Sequence, residues 1–150
     1  FGLRREEAIK FSPSYAIKDN HIKLKPTWTK GGRARCVPIR TVKQRRLLEK
    51  IRKLTKGGAL IPPNKNFIKQ RNHYDRQVRD AGIRNPHGLR HAYAQRRYEE
   101  LTGWKAPVAG GPASKSLSSD QRALNKGARE TIAEELGHSR EEISKVYLGR

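Results

Sequence analysis

Acidic residues are scarce in this chain: 14 Asp and Glu stand against 34 Lys and Arg, leaving a net charge of +20 over 150 residues. A surplus of that size repels itself within a compact fold and suits a protein that meets a polyanion, nucleic acid before any other. Cysteine is scarcer still. The single Cys36 excludes an internal disulfide and fits a reducing compartment. No apolar run approaches the ~20 residues that span a bilayer, and no signal peptide opens the chain, so a membrane surface is the weaker partner. The length suits one domain burying roughly two-thirds of its unfolded surface and is short for two independent cores.

What is present reads as mostly helical. Residues 4–11 have helical spacing, with Leu3, Ala8 and Phe11 inward and Pro13 as the stop. Ile22 and Leu24, then Cys36, Val37 and Ile39, alternate with polar residues. With Asp19-Asn20 and Gly31-Gly32 as turns, they predict a small antiparallel sheet with a hairpin near Gly31. Helices are expected over 41–54 (apolar at Val42, Leu47, Leu48, Ile51 and Leu54) and 66–81 (Phe67, Tyr74, Val78). Two more are expected over 86–101 and about 120–136 (Leu124, Ala128, Ile132, Leu136). Residues 102–118, TGWKAPVAGGPASKSLS, read as a loop or insertion with little to bury, expected to be poorly ordered without DNA. Ser139 and Glu142 make a capping box for a last helix carrying Ile143, Val146 and Tyr147. No internal repeat is visible. The fold class is α+β, mainly helical, with a small antiparallel sheet.

Single motifs say little. HGLR places His87 and Arg90 three apart on one helix face, a spacing common by chance in so basic a chain. His91 lies at i+4 from His87, but no third ligand follows at useful spacing, so no metal is expected. GLRREE puts Arg4 three residues before Glu7, as in any surface pair of small worth. TKGGRARCVPI sets Lys30 at a glycine turn, and LGHSREEISKVY sets His138 ahead of Tyr147, which alone reads as a core aromatic.

Taken in order, these five boxes resemble the catalytic domain of tyrosine recombinases, the phage-type and conjugative-element integrases. The resemblance runs from the first residues to the last. It implies a small sheet packed on a helical bundle, and a catalytic set of Arg4, Lys30, His87, Arg90 and His138 with Tyr147 as nucleophile. His91 falls just beyond the active arginine, where packing is the expected role. The implied activity is site-specific breaking and rejoining of DNA through a 3′-phosphotyrosine, without cofactor or metal. The implied setting is double-stranded DNA, self-association as a tetramer on it, and a mobile genetic element in a bacterial or phage-encoded, cytoplasmic, nucleoid-associated context. Residues 1–150 then form a catalytic domain cut from a longer protein, without the N-terminal DNA-clamping domain, the start of the catalytic domain and the C-terminal docking helix. The 51 positions from His87 to His138 exceed the usual spacing, and 102–118 is the excess.

Chemistry explains these residue types. A tyrosine phenol has a pKa near 10, so only ~0.1% is phenolate at neutral pH and it must be activated. Guanidiniums suit the charge gathering on the non-bridging phosphate oxygens better than lysines do. Histidine can shuttle protons, and Lys30 can protonate the leaving 5′-oxygen. In the basic stretch 30–56, Arg33, Arg35, Lys43, Arg45 and Arg46 are expected on the DNA backbone. The alternative from composition alone is a non-enzymatic, ribosomal-protein-like nucleic-acid binder.

Overall fold

The computed structural model describes residues 1–138 and 144–150. The chain forms two compact units: Phe1 with residues 3–87, and Gly2 with residues 88–150. The class is α+β and mainly helical, with one two-stranded antiparallel sheet among the described residues.

The first unit begins with two short helices, α1 (Arg5–Ile9) and α2 (Pro13–Ala16), where one helix over 4–11 was expected. Pro13 opens α2 rather than merely ending α1. Its fixed φ and missing N–H fit the first turn, where that donor has no helical partner. Strands β1 (His21–Leu24) and β2 (Arg35–Pro38) pair with Ile22 opposite Val37 and Leu24 opposite Arg35. Ile22, Leu24 and Val37 are buried while Cys36 is exposed, so the alternation holds. The connection, residues 25–34, contains a 3₁₀ turn at Pro26–Trp28 and turns through Gly31 and Gly32, at φ of 91° and 64°. Such left-handed backbone is the reason for two adjacent glycines.

Helix α3 (Val42–Thr55) starts at Thr41, whose hydroxyl accepts from the Gln44 amide while the Gln44 side chain accepts from the Thr41 amide. Its buried stripe is narrower than expected. Leu48 is buried, but Val42, Leu47 and Leu54 are exposed. Helix α4 (Phe67–Asp80) is capped by Asn66, and its Phe67, Tyr74 and Val78 are only half-buried. The core of this unit is Ile9, Phe11, Ala16, Ile22, Leu24, Trp28, Val37, Ile39 and Leu48.

The second unit holds α5 (Gly88–Thr102), α6 (Ser119–Glu135) and α7 (Ser144–Leu148). Tyr93, Ala94, Tyr98, Ala128, Ile132, Leu136 and Leu148 fill its core, whereas Leu124, expected inward, is exposed. Residues 102–118 form a largely exposed connection with two short 3₁₀ turns, as expected of a segment with little to bury, held by a few anchors. Ala106 and Leu117 are buried, and the Trp104 indole meets Tyr98 edge-on and donates to its hydroxyl at 3.2 Å. The other apolar groups of the segment are not covered: Val108, Ala109 and Ala113 are exposed. The expected capping box at Ser139 and Glu142, with Ile143, lies outside the described residues.

Candidate active site

Arg90 organises the second unit. It sits in the first turn of α5, 1% exposed. Its Nε donates to the Tyr147 hydroxyl at 3.1 Å, its Nη1 to the Gly2 carbonyl and its Nη2 to the Leu136 carbonyl. His138 Nε2 lies 3.2 Å from the same Nη2. The rings of His91 and His138 stand 4.7 and 5.7 Å from the Tyr147 ring, centroid to centroid. A guanidinium, with donors on three separate nitrogens in one plane, reaches acceptors on different sides of the group where the single nitrogen of an ammonium does not.

Local reasons place each acceptor. Leu136 caps the C-terminus of α6, where carbonyls lack helical partners and the helix dipole favours a cation. Gly2 has φ of 62°, and a Cβ there would fall 2.7 Å from the Tyr93 ring, so its carbonyl reaches Arg90 only as glycine. Backbone carbonyls at Tyr147 and just after it are held by side chains of α5 and α6. Gln95 donates to the Tyr147 carbonyl at 3.3 Å, and buried Arg129 donates to the Gly149 carbonyl at 3.0 Å and to Asn125 at 2.9 Å. Asn125 also accepts from Tyr98 at 2.7 Å, and Glu135 accepts from Tyr93 at 2.6 Å and from Arg97 at 3.0 Å. Sequence reasoning missed Gln95, Asn125, Arg129 and Glu135. The only trace of them is a polar residue on the apolar face of α6.

The first unit carries the other proposed site residues. Arg4 precedes α1, and its pair with Glu7 is no surface contact: Glu7 is completely buried. Arg4 donates its backbone N–H to Glu7 Oε2 at 2.6 Å and its Nη1 to Oε1 at 3.1 Å. Arg35, expected on the DNA backbone, is buried with its guanidinium fork on the same carboxylate, Nη1 on Oε1 and Nη2 on Oε2 at 2.7 Å. Burial pushes the Glu7 carboxyl up, but the Arg35 hydrogen bond and charge, with the Arg4 contributions, outweigh it and hold the group below its ordinary range.

Lys30 is exposed on the β1–β2 connection, which Thr29 closes by donating to the Pro26 and Arg33 carbonyls at 3.0 and 2.7 Å. Arg33 is exposed on the same connection, and Lys43, Arg45 and Arg46 are exposed on α3, with Arg45 reaching the Asp19 carbonyl at 2.9 Å. His87 ends the first unit in a turn just before α5, not on its helical face as the spacing predicted. The structure thus groups Arg90, His138 and Tyr147 in one unit and places Arg4, Lys30 and His87 in the other.

A family model described as Integrase matches residues 1–96. The chain belongs to the integrase family. The matched span contains Arg4, Lys30, His87 and Arg90, and ends within α5 before His138 and Tyr147. No curated protein and no solved structure matches the chain. Membership makes DNA integration or recombination the general role of this integrase-family chain and DNA its partner. Among the described residues, no helix is long and apolar enough to cross a membrane, and no three His, Cys, Asp or Glu gather as metal ligands.

Proposed function

We propose that the chain cleaves and rejoins DNA one strand at a time with Tyr147 as nucleophile. The observation that carries this reading is the Arg90 Nε–H directed at the Tyr147 hydroxyl, a buried pair with half-buried His138 beside it. The residue that would meet phosphate charge already holds the oxygen that would attack phosphorus. In the proposed step the Tyr147 oxygen bonds to phosphorus, the bond from phosphorus to the 5′-oxygen breaks, and a 3′-phosphotyrosine remains. The phenol proton passes to an imidazole, His138 or His87, and Lys30 supplies the proton that makes the leaving group a 5′-hydroxyl. Arg4 and Arg90 neutralise the non-bridging oxygens. Rejoining is the same step reversed with a new 5′-hydroxyl.

Exposed Arg33, Lys43, Arg45 and Arg46 hold the duplex backbone, and the working form is a tetramer on DNA belonging to a mobile genetic element of a bacterium or phage. A nicked suicide duplex tests the reading, because the cleaved 3′ end cannot be rejoined once its short partner strand departs. A covalent protein–DNA adduct is expected. Salt-sensitive binding without adduct would overturn the enzymatic reading in favour of a basic binding domain.

A further inference from the structure

The Glu7 carboxylate receives two guanidiniums. Oε1 accepts from the Nη1 of both Arg4 and Arg35, and Oε2 accepts from the Arg4 backbone N–H and Arg35 Nη2. The two arginines differ in setting. The Arg35 side chain is 6% exposed, shut inside the unit, whereas the Arg4 side chain is 22% exposed and open to a ligand. Arg35 is also the first residue of β2, paired with Leu24, so it closes the connection that carries Lys30.

We infer that Arg35 is a positioning residue for strand cleavage, acting through Glu7 to hold the Arg4 guanidinium and anchoring the base of the Lys30 connection. This rests on the reading of Arg4 as a phosphate-binding residue. A carboxylate buried as deeply as Glu7 would tend to take up a proton, and a protonated carboxyl loses an acceptor for Arg4. The Arg35 fork keeps it charged and fixes its plane, which a flexible ammonium would not. Arg35 therefore never needs to touch DNA to govern how Arg4 meets it.

The test compares adduct formation on two suicide duplexes, one with an ordinary scissile phosphate and one with a methylphosphonate. Replacing a non-bridging oxygen by methyl removes the charge that Arg4 meets, so a defect transmitted through Arg4 shrinks on that substrate, while damage to the fold lowers both equally. Arg35→Lys is expected to slow adduct formation about 10–100-fold on phosphate, the range for groups that orient a functional residue through one contact. On methylphosphonate it should approach wild type, with the same selectivity as Arg4→Ala. Where Arg35→Lys does not fold, the double variant Glu7→Gln with Arg35→Met removes both buried charges and should show the same selective loss. Equal losses on the two substrates, or no loss on phosphate, overturn the inference alone. No adduct from wild-type protein on phosphate overturns the reading it rests on as well.

Discussion

The two units hold their arginines in opposite ways. Arg4 rests on a carboxylate, Glu7, which a second buried arginine keeps ionised. Arg90 rests on the carbonyls of Gly2 and Leu136 and on the side chains of His138 and Tyr147. An ionic support needs charge balance and titrates with pH. Backbone carbonyls do neither, but they demand a donor of fixed shape and a backbone held in place. The first arrangement should fail when charge is altered, the second when geometry is.

The largest effect expected from this contrast is on Arg90. Arg90→Lys should lower cleavage by about 10²–10³, the cost of losing a preorganised donor, because one ammonium cannot reach Gly2, Leu136 and Tyr147 together. Arg4→Lys should lose less, since Glu7 can hold a point charge. Single-turnover adduct rates for the two variants give the answer, and equal losses would break the contrast.

Stability gives the next effect. Arg35→Met leaves the buried Glu7 carboxylate without its forked partner and should destabilise the protein by about 3–5 kcal/mol in denaturant unfolding. Adding Glu7→Gln should recover most of that loss, as it removes the buried charge.

Acid sharpens the same point. Arg4 and Arg35 donate to the Glu7 carboxylate, whose native pKa lies below the ordinary 4.5. Its contribution is thus fully present above that value and is lost as pH falls through the lowered native one. Wild-type stability should drop on acidification below the ordinary value. The double variant Glu7→Gln with Arg35→Met should lack that part of the slope.

The smallest effect belongs to the backbone that holds Arg90. Gly2→Ala imposes a left-handed conformation on a residue with a Cβ, roughly 1–2 kcal/mol, and presses that carbon on the Tyr93 ring. Melting temperature should fall modestly, and cleavage should fall with it because the Gly2 carbonyl moves from Arg90. Unchanged cleavage would show that this carbonyl does not hold the guanidinium.

The sequence revealed elements and motif order better than partnerships. The helical spacing of apolar residues over 41–54 marked α3, and the alternation around Ile22 and Val37 marked the sheet, because both signals are local. The period of α3 named an apolar face but not whether anything covers it, and Leu47 and Leu54 proved exposed. Glu7 was legible as a neighbour of Arg4. Its stronger partner lies 28 residues away, and no local pattern encodes that distance. The link from Arg90 to Tyr147, across 57 residues, could be anticipated only from the order of the motifs. Arg129 and Asn125 were hidden because they hold backbone and core groups, and such work leaves no spacing signature.

The central claim is that one phenol among five is the nucleophile. Tyr93 and Tyr98 donate to Glu135 and Asn125, Tyr15 meets Trp28 edge-on under Lys25, and Tyr74 is half-buried on α4. Tyr147 alone among them has the Arg90 Nε–H on its oxygen. Peptide mapping by mass spectrometry of the adduct trapped on suicide DNA decides between them. The account predicts the nucleotide mass on the peptide containing Tyr147, and its loss in Tyr147→Phe with DNA binding retained. An adduct on any other tyrosine, or one that persists in Tyr147→Phe, would contradict it.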